Sequence, residues 1–400
     1  MNHINQLIHH HYPEGVIHRS LSELADYSSS RVDAADLDDS SFVGVDNLVA
    51  DKRGRVDSTY SPNTARLTAY EQGDILIGNI RPYLKKIWLA DRSGGCSGDV
   101  LAIRIRSHMR SEMDSEFLYY LLSSDRFFAY DMQHAKGAKM PRGSKEAILA
   151  YQVPVPPVAV QREIVSILDT FTELEAELEA ELEARKQQYE YYRTGLLRST
   201  KDAQIRVLGD IAEFRYGLTA RAADGGSYRF VRITDILANG KLAPTDAKYV
   251  DEVGPLQDYL LVPDDLLVAR TGATYGKTML FESEEPSVYA SFLIRLRFPG
   301  AEILPRYYWH FAQSRLYWDQ ANSLVSLGSQ PQFNANVLKL IKVPVPSLGE
   351  QRRIVERLDA FDALTSDLSV GLPAELAARR RQYEYYRDEL LSFRELGVGL

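Results

Sequence analysis

Gln188-Tyr-Glu-Tyr-Tyr-Arg193 and Gln382-Tyr-Glu-Tyr-Tyr-Arg387 are the same six residues, and their recurrence decides how the chain is read. Working outward from them, Val153-Pro-Val-Pro156 returns as Val343-Pro-Val-Pro346. Gln161-Arg162, Ile164-Val165 and Leu168-Asp169 return as Gln351-Arg352, Ile354-Val355 and Leu358-Asp359. Upstream the repetition persists only in outline. Ser20–Tyr27 parallels Val207–Phe214, Gly73–Ile77 parallels Asp264–Val268, and Glu116–Tyr120 parallels Arg306–His310. A shared apolar skeleton carrying two unrelated sets of polar loops describes two modules on one scaffold, each reading something different.

Each half reads as a mixed α/β domain followed by a long helix. Asp74–Ile77, Leu101–Arg106, Leu266–Ala269 and Phe292–Phe298 are short runs rich in β-branched or aromatic residues, separated by turn-forming clusters. The prolines at 154, 156, 157, 344 and 346 favour extended backbone and end each globular part. The expected organisation is a first recognition domain over 1–152, a helical spacer over 153–200, a second domain over 201–342 and a second spacer over 343–400. In the first spacer Ile164, Leu168, Phe171, Leu178, Leu182, Tyr189, Tyr192 and Leu196 fall on alternating four- and three-residue steps, with Glu175 and Arg185 as misfits. That heptad seam calls for a partner helix. The second spacer, with Ile354, Leu358, Phe361, Leu368 and Leu372, is the expected partner; packing on its own domain or dimerisation between chains are the alternatives. The second spacer is four residues longer beside Gly371-Leu-Pro373, where a stutter and a proline kink or break are expected. The first carries Glu-Leu-Glu-Ala three times from Glu173 to Ala184, a ruler whose length changes in units of four.

The 400 residues are 45% hydrophobic and 26% charged, ordinary for a globular protein of several domains. No apolar run is long enough to span a bilayer, and Met1–Pro13 shows no export signal. The single Cys96 excludes a disulfide framework and reads as a structural thiol in a reducing cytoplasm. The net charge of −8 is unevenly placed: residues 81–152 hold twelve Lys and Arg against eight Asp and Glu, residues 1–80 six against twelve. Local charge, not the sum, decides where a phosphate backbone can lie.

Two pairs of loops carry the candidate chemistry. In the first domain Asn79, Arg81, Tyr83, Lys85 and Lys86 form a basic, aromatic loop, and Lys136, Lys139, Arg142 and Lys145 a second basic one. In the second domain Arg270, Thr271, Thr274, Tyr275 and Lys277 surround Gly272 and Gly276, and Ser329, Gln330, Gln332, Asn334 and Asn336 make an amide-rich loop. Such groups suit phosphates and base edges, amides in particular pairing with adenine. Gly272–Thr278 resembles a phosphate-binding loop but is one residue short between its glycines and runs into a strand. No dinucleotide, base-methylation or nucleophile-elbow motif is present, and His9-His10-His11 with His18 reads as surface rather than metal site. A catalytic centre is not expected. A coiled-coil scaffold presenting two protein-binding modules is the competing class; steep salt dependence of binding distinguishes DNA reading from it.

Pro-x-Pro, then Gln-Arg-x-Ile-Val-x-x-Leu-Asp, then a helix ending Gln-Tyr-Glu-Tyr-Tyr-Arg, given twice, resembles the specificity subunits of type I restriction-modification systems. The likeness covers essentially the whole chain. Val158-Ala-Val160 departs from it where Leu348-Gly-Glu350 is closer to the family pattern. The resemblance implies an α+β chain with a pseudo-twofold internal repeat, whose two target-recognition domains each read half of a split double-stranded DNA sequence. It further implies an intramolecular antiparallel coiled coil that docks two methyltransferase subunits, with restriction subunits joining them. Gln161, Arg162, Tyr189, Tyr192, Gln351, Arg352, Tyr383 and Tyr386 are the docking residues it suggests. It places S-adenosylmethionine, ATP and magnesium on those partners, with no cofactor, metal or membrane contact on this chain.

Overall fold

The computed structural model describes residues 15–198, 202–251, 256–325, 332–366 and 371–397. Contacts divide the chain into two units, residues 1–176 with 378–400, and residues 177–377. The division runs through the spacers, so each unit holds one globular domain, part of one spacer and part of the other.

The first domain is built on an antiparallel sheet in the order Ala25–Tyr27, Val100–Ile105, Ile75–Gly78, Ile87–Leu89. A second sheet runs Arg31–Asp33, Arg66–Tyr70, Gly94–Cys96, Phe42–Val43, its last pair parallel. Helices Ser115–Leu122, Asp125–His134 and Lys145–Ala150 start on Asp114, Ser124 and Ser144, each side chain accepting from backbone N–H groups of the first turn. The second domain repeats the plan. Glu213–Tyr216, Leu293–Arg297, Leu266–Ala269 and Thr278–Leu280 form its antiparallel sheet, and Tyr228–Val231 pairs in parallel with Ser287–Tyr289. The registers correspond: Ile75 faces Ile103 as Leu266 faces Leu296. Gly272–Thr274 is a single 3₁₀ turn in the connection to the antiparallel strand Thr278–Leu280, not the start of an α-helix. Cys96 is free and buried, which pushes its thiol up to about 12.

The repeated glutamines fasten each spacer to its domain. Gln161 is fully buried; its Nε2 donates to Glu112 O (2.7 Å) and Pro156 O (2.6 Å), and its Oε1 accepts from Asp114 N (2.8 Å). Gln351 does the same with Glu302 O (2.8 Å), Pro346 O (2.9 Å) and Leu304 N (2.8 Å). About two turns further on, Asp169 accepts from Tyr120 Oη at 2.6 Å, and Asp359 meets His310 Nε2 and Arg306 Nε, both at 2.7 Å. Burial, opposed by the Asp359 hydrogen bond, holds His310 below its ordinary value.

The first spacer is one helix, Val158–Arg198. Ile164, Val165 and Leu168 at its start belong to the first domain's core cluster, which also takes in Leu390 and Leu391 from the end of the second spacer. In the first unit Phe171 stacks on Tyr386 (5.6 Å, 25°) and leans on Tyr383 (6.2 Å), and Glu175 meets Arg380 at 2.6 Å. Rising numbers on one helix meet falling numbers on the other, so the helices are antiparallel. The misfit Glu175 is thereby an ion pair on the seam, while Arg185 stays exposed beside Glu181 and Gln188. In the second unit the roles are exchanged: Phe361 stacks on Tyr192 (5.4 Å, 21°) and on Tyr189 (6.0 Å, 16°). The coiled coil is intramolecular.

The second spacer comprises two helices, Leu348–Ser366 and Leu372–Leu390; residues 367–370, Leu368 among them, lie outside the described residues. The break therefore precedes Pro373, which sits in the first turn, where its missing N–H forfeits no hydrogen bond. Gly371 has φ +88°, and a Cβ there would lie 2.7 Å from the carbonyls of Ala363 and Leu364, so only glycine fits.

One buried acid in the first domain is left without a partner. Both carboxyl oxygens of Asp131 lack a hydrogen bond, as does Asn79 Oδ1 next to it, and a Cβ on Gly143 would lie within 3.0 Å of all three. Burial pushes Asp131 up to about 6, with His134 opposing slightly. At Asp131 the native state thus binds more protons than the unfolded chain between about pH 4 and 6, and this group's contribution to stability falls as pH rises through that window.

Two outcomes are expected. Gln351→Leu strands two carbonyls and one N–H in the core and should cost about 2–4 kcal/mol in urea denaturation; a loss under about 1 kcal/mol would deny the clamp a stabilising role. Asp131→Asn should remove the pH 4–6 slope and raise stability at pH 7 by up to about 3 kcal/mol. An unchanged difference between pH 4 and pH 7 would show that Asp131 ionises normally.

Candidate nucleic-acid interface

In both domains the two loops singled out from the sequence lie side by side. Ile80 forms a single antiparallel bridge with Arg142, and Thr271 forms one with Gln332. The flanking hydrogen bonds correspond. Asn79 N donates to Asp99 O (2.8 Å) while Gly143 N donates to Asn79 O (3.1 Å). Arg270 N donates to Phe292 O (3.1 Å) while Phe333 N donates to Arg270 O (2.8 Å). One backbone frame therefore presents Asn79 in the first domain and Arg270 in the second.

The side chains divide into those that reach solvent and those that do not. In the first domain Arg81, Tyr83, Lys136, Lys139, Arg142 and Lys145 are exposed. Arg142 lies 3.3 Å from Asp99, and Arg81 adopts φ 54°, fixed by its N–H to Pro141 O at 2.7 Å. Asn79 is only 7% exposed, and its Oδ1 is buried beside the Asp131 carboxylate without a hydrogen bond. Lys86 Nζ donates to Val45 O (2.7 Å) and Lys85 Nζ to Asp125 (2.8 Å), so both are spent within the domain. Asp125 also receives Lys52 (3.0 Å) and the buried Arg387 (3.4 Å). Burial alone would raise this carboxyl, but these cations outweigh it and hold Asp125 well below the usual range.

In the second domain Arg270 is half-buried, with its guanidinium 5.2 Å from the Tyr216 ring and 5.5 Å from that of Phe292. Thr274 Oγ1 donates to Thr271 O (3.4 Å), and Tyr275 Oη donates to Asn322 Oδ1 (2.8 Å). Lys277 turns elsewhere: it lines a cavity of about 220 Å³ with Arg193, Asn239, Gln313, Trp318 and Asp362. Asn334 Oδ1 caps the short helix Ala335–Leu338 by accepting from Asn336 N and Val337 N, which leaves only its NH₂ for a ligand. Gln332 is half-buried and Asn336 exposed; Ser329 and Gln330 lie outside the described residues. Tyr216 and Phe292, 41% and 50% exposed, belong to this surface and were missed because nothing in their local sequence marks them as outward-facing.

The docking residues need the larger correction. Gln161 and Gln351 are wholly buried in their clamps and Tyr189 is 4% exposed, so none of the three offers a surface. Tyr383 and Tyr386 are occupied by Phe171, and Tyr192 stacks on Phe361 while remaining 43% exposed. Arg162 and Arg352 do face outward. Between the seam tyrosines, Tyr191 and Tyr385 stand at equivalent positions of the repeat, 76% and 54% exposed. The heptad itself carries this signal, since it puts 189 and 192 on the seam and leaves 191 off it.

A family model described as the type I restriction modification DNA specificity domain matches residues 64–184 and 200–378. A Haemophilus influenzae protein named as a type I restriction enzyme specificity subunit is 31% identical over 300 residues, spanning 71% of this chain and 74% of that one. An Escherichia coli type I restriction enzyme specificity subunit is 35% identical over 249 residues, 59% of this chain and 60% of its own length. Among solved structures, a chain from a type I restriction-modification complex superposes with TM-score 0.63 at 21% identity, covering 95% of this chain and 98% of that one. The specificity subunit from M. genitalium gives TM-score 0.52 at 16% identity, covering 94% and 96%. At these identities the structural likenesses concern the fold. The matched model and the relatives agree with the duplicated architecture: this chain belongs to the family of type I restriction-modification DNA specificity subunits, the non-catalytic members that select the DNA target.

Proposed function

We propose that the chain reads a split, asymmetric duplex sequence, each domain taking one half, and holds the halves at a set distance through its spacers. The observation that carries this reading is the shared loop frame: the same bridge and the same flanking hydrogen bonds recur in both domains around different side chains. A duplicated scaffold with exchanged contact residues suits two different half-sites. Arg81, Lys136, Lys139 and Lys145 supply an exposed cationic surface in the first domain, adapted to phosphates.

Two methyltransferase subunits dock on the spacers, with Tyr191 and Tyr385 as equivalent exposed aromatic contacts, and Arg162 and Arg352 as charged ones. Restriction subunits complete the assembly. S-adenosylmethionine, ATP and magnesium belong to those partners. The free, buried Cys96 accords with a reducing cytoplasm.

The tetrapeptide run makes the spacing testable. Four helical residues contribute about 6 Å and about 40° beyond a full turn, against about 3.4 Å and about 34–36° per base pair. Within the second unit Leu182 lines a cavity with Thr365 and Pro373, so the interrupted arm lies across from the tetrapeptides and can absorb a change in length. Deleting Glu177–Ala180 should shorten the gap between the methylated half-sites by one or two base pairs, read by mapping methylated bases in cells carrying this chain and its methyltransferase partner. An unchanged gap would sink the ruler. The isolated chain should neither methylate nor cleave, and turnover without partners would refute the assignment of chemistry to them.

A further inference from the structure

Arg270 is the most firmly positioned cation on the candidate surface. Its N–H donates to Phe292 O (3.1 Å), its carbonyl accepts from Phe333 N (2.8 Å), and its Nε donates to Ser291 O (3.0 Å). The guanidinium sits between two aromatic rings, 5.2 Å from Tyr216 and 5.5 Å from Phe292. Tyr216 is itself pinned, its hydroxyl accepting from Ala335 N at 3.0 Å. Of the other arginines of the same sheet, Arg215 pairs with Asp258 at 2.7 Å, Arg297 pairs with Asp265, and Arg295 is buried with its Nη1 donating to Leu260 O at 3.0 Å. No described residue forms an ion pair with Arg270, and neither terminal nitrogen of its guanidinium donates to a described residue.

A phosphate can be met by a point charge on a mobile side chain, and an arginine fork can also take two phosphate oxygens, so the test below separates phosphate from base. Here the backbone, Nε and both ring faces fix the group, leaving two terminal nitrogens at the half-exposed end as a preset fork. Such a fork matches two adjacent acceptors. In the major groove guanine offers O6 and N7 side by side, whereas adenine puts an N6 donor where O6 would be. Fixing the arginine beforehand also removes most of the rotamer entropy that a free one would lose on binding. In the first domain the same frame carries Asn79, 7% exposed beside Asp131, so the preset fork is a feature of the second domain.

We propose that Arg270 reads one guanine, through O6 and N7, in the half-site taken by the second domain, and that Tyr216 and Phe292 position it. This rests on the DNA-reading function proposed above. Tyr216 and Phe292 act through Arg270 and are positioning residues.

The test maps methylated bases in cells expressing the chain with its methyltransferase partner. In the wild type one half-site should contain an invariant G·C pair assignable to Arg270. Arg270→Ala and Arg270→Met, the latter keeping an aliphatic stem between the rings, should make that one position degenerate, with discrimination falling about 5- to 150-fold. The other half-site should stay unchanged. Phe292→Leu should relax the same position partially while preserving the motif elsewhere. An unchanged motif with uniformly lower occupancy would make Arg270 a phosphate contact and overturn the inference. If a variant leaves no methylation, affinities of the assembled complex for duplexes substituted at each base pair decide. Indifference at one G·C pair supports the inference, and an unchanged ranking overturns it. A wild-type complex that marks no two-part site would contradict the proposed function itself, and the inference with it.

Discussion

A three-point amide clamp holds each domain to its spacer, and the rest of the molecule depends on it. A spacer helix can set the position of a DNA-reading domain only if the joint between them is stiff. Gln161 and Gln351 make it stiff by satisfying two carbonyls and one N–H apiece inside the core. A buried amide with all its partners met is costly to disturb, because any displacement strands several polar groups at once. The Asp169–Tyr120 and Asp359–His310 contacts add a second tie about two turns along each helix. Stiffness at the joint lets the helical register govern where the loops stand.

The aromatic stacks on the seam do the complementary task. Each spacer offers a phenylalanine to the tyrosine pair of the other, Phe171 to Tyr383 and Tyr386, Phe361 to Tyr189 and Tyr192. The arginine that ends each repeated hexapeptide is held against one of those rings, Arg193 over Tyr189 at 4.1 Å and Arg387 over Tyr383 at 5.9 Å. Packing explains half of the six-residue identity: Tyr189, Tyr192 and Arg193, with Tyr383, Tyr386 and Arg387, close the seam, whereas Tyr191 and Tyr385 recur unchanged while facing out. Above this rigid base the loops are free to differ. The frame that holds Asn79 and Arg270 uses backbone hydrogen bonds alone, so it constrains no side chain.

That contrast sets what could be read from the sequence. Duplication, strand positions and the intramolecular seam were legible because packing demands particular side chains at fixed spacing. The pairing of the loops left no trace, because a bridge such as Thr271 with Gln332 is made by main chain. Direction was equally hidden: Arg270 and Lys277 are both cations of one loop, yet one reaches the surface and the other a cavity. Asp131 looked like any helical acid until the fold surrounded it. The repeated tyrosines were misjudged for a different reason. The family resemblance suggested them as a surface for partners, while the heptad already assigned Tyr189 and Tyr192 to the seam, and the repeat carries the same places over to Tyr383 and Tyr386.

The central claim is that two equivalent loop frames, one per domain, form the DNA-contacting surface while the clamps remain inert. Amide hydrogen exchange on the assembled methyltransferase complex, with and without its own target duplex, addresses it directly. Slower exchange should appear in four segments at once, 79–86 and 136–145 in the first domain, 270–276 and 332–336 in the second, with no change at Gln161 or Gln351. Protection confined to one domain, or concentrated on the spacers with the loops unaffected, would contradict the account.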